Sequence, residues 1–489
     1  MTNPSLHTPP GPPPLPGVGP SQAVGRRGRP RRGKKGKAET QPVLAERLLR
    51  YVTRNPRTVV AVGLVLTYVW RWHDFHGLFV ALRLAAIFSV LSWLYLIVEP
   101  RAGALVAAVK RPYGAFIMLW TVWMLAGVPG ALRPDVAWSF WYDIHFKNVL
   151  LFLFLAGTLA NLKNLQILIL ANVVGLAPGI FFYMKGGMLW HWTPYSMYDR
   201  NDLALLFNMT VPVAVWSGVA LKEKWAQAVA WTIAILAVTC IIGTGSRGGL
   251  LALAISSLLI LVAFEGLSRK AKAAFLAFVA VLLVTAPDAY WDRMRTMLNP
   301  SEDYNLTDDH GRVEIWKRAI EYTKQRWTFG VGANNFSVAE VTMRQDRVRV
   351  AGARGAVTHN SFLQVAAETG LPGLVFFVGA LLTSLWALVA QRRRLRKTRD
   401  DRLGNIAQLT ELVALCLIAF IVGGFFLSQA YFSYLMVLFA IVAALEYVGE
   451  REIRAWKAQK AQARAHAAAL ATAHANTHVV GSGPYTRVG

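Results

Sequence analysis

The run LPGLVFFVGALLTSLWALVA, residues 371–390, decides how the chain folds. It carries no charged residue, and about 20 apolar residues in a helix span the hydrocarbon core of a bilayer. The cluster RRRLRKTRDDR, residues 392–402, follows at once. Apolar runs of this kind recur along the 489 residues, cut by short polar loops. Only 16% of the chain is charged against 55% hydrophobic, and the mean hydropathy is +0.37. A soluble protein of this size carries more charge. The runs are too long, and too little alternating, for a membrane β-barrel. The pattern predicts an all-α polytopic membrane protein with about twelve transmembrane helices. They fall near 58–70, 76–98, 113–131, 148–162, 165–183, 201–220, 226–243, 248–264, 271–286, 371–390, 408–428 and 431–449.

The net charge of +25 is unevenly spread. Residues 1–57 hold twelve Lys/Arg against Glu39 and Glu46, beginning with a Pro/Gly-rich stretch and then GRRGRPRRGKKGK. Such a segment reads as disordered. It could be a nucleic-acid-binding arm. Every basic run flanks an apolar span, however, so retention on the cytoplasmic side explains them better, and no nucleic-acid partner is expected. With the N-terminus inside and the spans alternating, KEKW (222–225), SRKAK (268–272), the 392–402 cluster and the C-terminus all fall inside. Three regions then lie outside: the segment leading to YDRND, the turn GTGSRGG, and residues 287–360. The last is 74 residues long, far more than a connector needs, and is expected to be functional. The organisation is therefore a basic cytoplasmic tail (1–57), spans one to nine (58–286), a catalytic outer loop (287–360), a re-entrant helix with spans ten to twelve (361–449), and a cytoplasmic tail (450–489). Cys240 and Cys416 lie inside spans and have no metal-ligand spacing.

The outer regions hold the polar chemistry. GTGSRGG (243–249) matches G-x-G-x-x-G, but between two spans it cannot open a dinucleotide-binding unit. Thr244 also sits where a nucleophile elbow requires Gly. The turn leaves Arg247 among glycines, with Ser246 and Gly248 beside it. Bidentate phosphate capture and an interfacial helix anchor both suit this spacing. DDHGRVEIW (308–316) offers a second cation, Arg312, at the start of an amphipathic helix, where anions are already favoured. Ile315, Trp316, Ala319, Ile320 and Thr323 share its apolar face, and Glu314–Arg318 and Lys317–Glu321 can pair on the other. Asp308, Asp309 and His310 are adjacent and rarely converge on one metal, so capping suits the aspartates better.

Next comes THNSFLQVAAETGLPG (358–373). Asn360 or Ser361 can cap a helix there, which sets His359 just before a helix N-terminus. That position disfavours the imidazolium, so the ring can accept a proton near neutral pH. A loop histidine with a satisfied hydrogen bond is the plainer reading. Asp199, Arg200, Asn201 and Asp202 stand at the outer end of span six, as one wall of the same cavity. Trp190, His191, Trp192 and Tyr195 fit an aromatic interfacial belt, and Arg83 is placed to snorkel from span two.

Ser246-Arg247-Gly248-Gly249, then Gly311-Arg312 with Ile315-Trp316, then FGVGANNF, then His359-Asn360-Ser361 with Gly370 and Gly373 resemble, in this order, the O-antigen ligase and O-antigen polymerase superfamily of bacterial inner-membrane proteins. The last set looks like that family's H-[NSR]-x9-G-x-x-G pattern, and DRNDLALL looks like its Asn-Asp-Leu-Ala stretch. The chain is similar as well to the O-glycosylation ligases associated with exosortase systems. The resemblance implies a GT-C-like, metal-independent glycosyltransferase with no cofactor and one long periplasmic loop. It implies a glycan donor on undecaprenyl pyrophosphate and an acceptor on lipid A-core, a growing glycan or a protein. Carried over, Arg247 and Arg312 bind the pyrophosphate and His359 is catalytic, supported by Ser246, Gly248, Asn360, Asn201 and Asp202. A polytopic solute transporter is the rival from another class.

Overall fold

The computed structural model describes residues 44–75, 77–186, 199–286, 288–295, 311–343 and 356–480. The basic stretch before residue 44, the Trp190–Tyr195 belt and Asp308-Asp309-His310 lie outside the described residues. Every regular element among the described residues is a helix. Among the described residues seven helices are long and apolar enough to cross a membrane: Pro112–Gly130, Leu162–Met184, Arg200–Ala220, Lys224–Gly243, Ser361–Arg396, Asp401–Gly424 and Ser433–Thr472. The chain is thus a multi-pass membrane protein.

The other expected spans fall on shorter helices. Pro56–Leu64 with its π-helical continuation Val65–Val69 takes the first, and Lys147–Thr158, Arg247–Ala263 and Arg269–Val284 take three more. The span expected at 76–98 is not continuous. Helix Leu84–Val98 starts only after Arg83, whose φ of 49° is left-handed, so Arg83 sits at a break rather than within a span. Pro100, which lacks an N–H and disfavours helix before it, follows the C-terminus of that helix. The chain then bends by 99° into Ala102–Lys110, and the bent pair could form an eighth crossing.

Burial separates the centre from the rim. Along helix Ser433–Val480, Tyr434, Leu435, Met436, Val437, Leu438, Phe439 and Ala440 are all buried in succession. A helix apolar all round is one enclosed by its neighbours. Helix Arg269–Val284 is the opposite, with no buried residue, as suits a span whose sides face lipid.

One break positions one end of the bundle. Helix Ser361–Arg396 is interrupted at Gly370, with φ 74° and ψ −179°. In an unbroken helix Leu371 N–H would serve Ala367 O, and residue 372 would serve Glu368 O, but residue 372 is Pro and has no N–H. The FGVG loop supplies what is missing. Val331 N–H donates to Ala367 O (2.8 Å), Gly332 N–H to Glu368 O (3.0 Å), and Leu371 N–H turns outward to Trp327 O (2.8 Å). The indole N–H of Trp123 takes Thr369 O at 3.0 Å. The glycines follow from this closeness. A Cβ on Gly370 would sit 2.1 Å from Thr328 O, and one on Gly330 would sit 2.5 Å from Ala367 O.

We expect Gly370→Ala to destabilise the protein by about 1–3 kcal/mol from backbone strain alone, and more from the clash. Gly404→Ala, whose Cβ meets nothing within 4 Å inside helix Asp401–Gly424, should be neutral or slightly stabilising. Melting temperatures of the detergent-solubilised variants check the contrast.

The amphipathic helix of the loop is present as Arg312–Gln325. Its buried face is Ile315, Ala319, Tyr322 and Thr323, while Ile320 points outward, 44% exposed. The apolar face is therefore centred on Tyr322 instead of Ile320. The pairing also differs from the expected one: Lys317 bonds Glu314 (2.6 Å), and Arg318 forks onto Glu340 (2.7–3.1 Å). Tyr322 Oη donates to the same carboxylate at 3.0 Å. This ties the helix to Phe336–Thr342 on the return limb of the loop.

Candidate functional site

Four helices begin at one end of the bundle. Asp199 caps Arg200–Asn208 through a capping box with Asp202. Ser246 caps Arg247–Ala263, its Oγ accepting from Gly249 N–H at 3.2 Å. Gly311 precedes Arg312–Gln325. Asn360 caps the Ser361 helix, its Oδ1 accepting from Phe362 and Leu363 N–H at 2.9 and 3.1 Å. Arg247 and Arg312 are both first helical residues, so each guanidinium joins the positive end of a helix dipole.

The segment between the last two helices, residues 425–432, holds these starts together. Trp316 Nε1 donates to Thr358 O at 2.9 Å and packs edge-on against Phe425, ring centroids 5.5 Å apart. His359 N–H donates to Ser428 Oγ at 2.7 Å. Ser361 Oγ donates to Leu427 O (2.6 Å) and accepts Gln429 N–H (3.0 Å). Gln429 Nε2 reaches Asp202 Oδ1 at 2.7 Å. On the remaining side a Cβ on Gly248 would lie 2.9 Å from that of Phe426, and one on Gly249 would lie 2.7 Å from that of Ala204. Asn208 Nδ2 donates to Gly249 O (3.0 Å) and fixes that approach. Ser246, Gly248, Asn360 and Asp202 thus all sit at the junctions between these elements. Asn201 leans on Asp199, both its N–H and its amide pointing at that carboxylate.

His359 itself is strained. Its φ of 47° is left-handed, a conformation that His adopts more readily than most residues but still at a cost. Its pKa is lowered from the ordinary 6.5, first by burial, then by the charge of Arg312, with Asp199 acting the other way. Arg312 and Asp199 are therefore its electrostatic neighbours. The ring is held neutral at pH 7 and can accept a proton.

A cavity of about 520 Å³ opens beside this cluster, lined among others by Asn334, Gln364, Ser428, Gln429 and Tyr431. Gln364 Oε1 is a buried acceptor without a donor. Behind it, the fully buried Glu368 accepts Tyr431 Oη at 2.9 Å. Polar groups converging on a concave space are the usual make-up of a ligand site.

Sequence reading singled out Arg247, Arg312, His359 and the Asp199–Asp202 wall, which the fold brings to one end, but not the cap that Asp199 forms. It missed Ser428, Gln429, Glu368 and Tyr431. Residues 425–428 were expected to close span eleven, yet the helix stops at Gly424. The signal was there: a Gly423-Gly424 pair followed by the polar Ser428-Gln429 inside an apolar run. Among the described residues no cluster of three His, Cys, Asp or Glu could hold a metal ion.

No curated protein matches this chain. Residues 232–378, by contrast, match the family described as O-antigen ligase, and the match contains Arg247, Arg312, His359, Gly370 and Gly373. Three of the four helix starts, the FGVG loop that braces the Gly370 break and the strained histidine thus all lie within the stretch similar to O-antigen ligases, a match that supports the O-antigen ligase and polymerase superfamily.

Proposed function

We propose that the protein is a membrane glycosyltransferase that transfers a glycan from undecaprenyl pyrophosphate to an acceptor hydroxyl at the periplasmic face. The observation that carries this reading is the gathering of two helix-starting arginines and a desolvated imidazole around residues 425–432. The acceptor oxygen attacks the anomeric carbon, and the bond from that carbon to the pyrophosphate oxygen breaks. The leaving electron pair stays on pyrophosphate, where Arg247 and Arg312 and the two helix N-termini offset its charge. The acceptor proton passes to the neutral ring of His359. The reaction is one displacement with inversion, and isolation of a covalent glycosyl-enzyme would refute it. Twelve spans, cytoplasmic termini and a bacterial inner-membrane location belong to the same proposal, supported by the side on which the basic loops fall.

One feature weighs against a transporter. The Gly370 break has its carbonyls taken by Val331, Gly332 and Trp123. A discontinuous helix that coordinates an ion leaves such carbonyls open.

The role of His359 sets the pH dependence. The neutral base is lost only below its lowered pKa, so transfer should persist at acidic pH and fall with a midpoint below 6.5. Arg312→Gln removes a charge that lowers this pKa and should move the midpoint of the residual activity upward. Asp199→Asn should move it downward. A midpoint that stays put in both variants would mean that another group titrates.

The acceptor is tested in a deletion strain complemented with the wild-type chain, by comparing lipopolysaccharide ladder, polymer length and glycoprotein profile. A ladder lost from lipid A-core without the protein indicates a ligase. One repeat left on core indicates a polymerase, and an intact ladder with unglycosylated proteins indicates transfer to protein. All three profiles unchanged would exclude glycan transfer.

A further inference from the structure

At the opposite end of the bundle lies a second cleft, of about 620 Å³ and open to the surroundings. Helices Arg200–Asn208 and Val211–Ala220 lead from the transfer site towards it, and Asp401–Gly424 leads back from it, so it is separated from His359 by the length of the spans. Four cations from different elements line it: Lys163, Lys222, Arg402 and Arg451. The carboxylates present are Glu223 and Glu452, so the lining carries a net +2 (four positive, two negative). Glu452 is engaged by Arg402 at 3.1 Å.

The inner wall is different in kind. Leu162, Ile167, Leu170, Trp216 and Ala220 give it an apolar surface. Trp216 is 4% exposed, and its indole N–H is buried with no acceptor in the protein. A buried donor without an acceptor costs roughly 1–3 kcal/mol, which an oxygen ligand in the cleft would relieve.

We propose that this cleft binds one anionic phospholipid of the membrane leaflet at that end, its phosphodiester among the four cations and near the Trp216 N–H, its acyl chain along the apolar wall. The charge alone would suit any phosphate. The apolar wall selects one that carries a chain, and basic pockets between transmembrane helices are placed at headgroup depth. The proposal needs only that the chain spans a membrane and is independent of the transfer chemistry.

The test is native mass spectrometry of the full-length protein in detergent, titrated with phosphatidylglycerol, phosphatidylcholine and soluble glycerol phosphate. The wild type should hold one phosphatidylglycerol in preference to phosphatidylcholine. Removing two cations with Lys222→Ala and Arg451→Ala should weaken it on the order of twentyfold, from roughly fivefold per charge. Trp216→Phe, which keeps an aromatic ring and loses the donor, should weaken it severalfold. Lys270→Ala, at a residue outside the cleft, should change nothing. Melting temperatures without lipid establish that each variant is folded. Equal binding of the two lipids, or undiminished binding by both the double variant and Trp216→Phe, overturns the proposal. Glycerol phosphate competing at the same concentration as the lipid also overturns it, because the cleft would then be a plain anion site.

Discussion

His359→Ala should lower glycan transfer by about 10²–10⁴-fold, the contribution of a positioned general base, with donor affinity nearly unchanged. Alanine changes two things at once, however. It removes the ring, and it places a less tolerant residue at a φ of 47°. His359→Asn separates them, since Asn accepts the left-handed conformation and cannot take up the proton. The backbone N–H to Ser428 survives in either variant. We therefore expect Asn and Ala to be equally inactive at neutral pH in single-turnover assays, with Asn melting at the wild-type temperature. An active, stable Asn variant would leave His359 a positional role only. The base would then have to be sought among the polar groups of the neighbouring cavity.

How far the fold was legible depends on which physical signal each element carries. A transmembrane helix announces itself by length and apolarity, and seven of the expected spans coincide with helices long and apolar enough to cross a membrane. The failures are local. Helix Leu84–Val98 begins late because Arg83 adopts a left-handed backbone, which no hydropathy window detects. Helix Asp401–Gly424 ends early because Ser428 and Gln429 have partners across the bundle, in Thr358, His359, Ser361 and Asp202. A partner 70 residues away in sequence leaves no trace in the segment itself.

The site divides along the same line. Arg247, Arg312 and His359 were visible because each precedes or opens a helix beside glycine or a capping residue, a pattern with a local cause. Gly370 and Gly330 were visible as motif members. Their reason, two backbones within contact of each other, emerges only when the 327–332 loop docks on the broken helix. Glu368 looked like one polar residue in an apolar stretch. Its carbonyl completes the break and its carboxylate anchors Tyr431, so one residue ties helix Ser361–Arg396 to both the loop and the 425–432 segment.

The second large effect concerns the arginines. Arg247→Ala and Arg312→Ala should each slow transfer by about 10²–10³-fold, the usual loss when one charge-stabilising contact to a developing oxyanion is removed. Their lysine variants discriminate between kinds of contact. Arg247→Lys keeps the charge at the start of its helix and loses the planar fork, so bidentate phosphate binding predicts a rate well below wild type although above alanine. Simple charge neutralisation predicts recovery close to wild type. Arg312 carries an additional effect, because its charge holds the pKa of His359 down. Lysine there should preserve the pH midpoint while losing rate, whereas Arg312→Ala should lose rate and shift the midpoint upward. Arg247 does not figure among the charges acting on His359, so its variants should lose rate with the midpoint fixed. A midpoint shift in Arg247→Ala, or none in Arg312→Ala, would reverse the assignment of which guanidinium stands beside the base and which faces the leaving group alone.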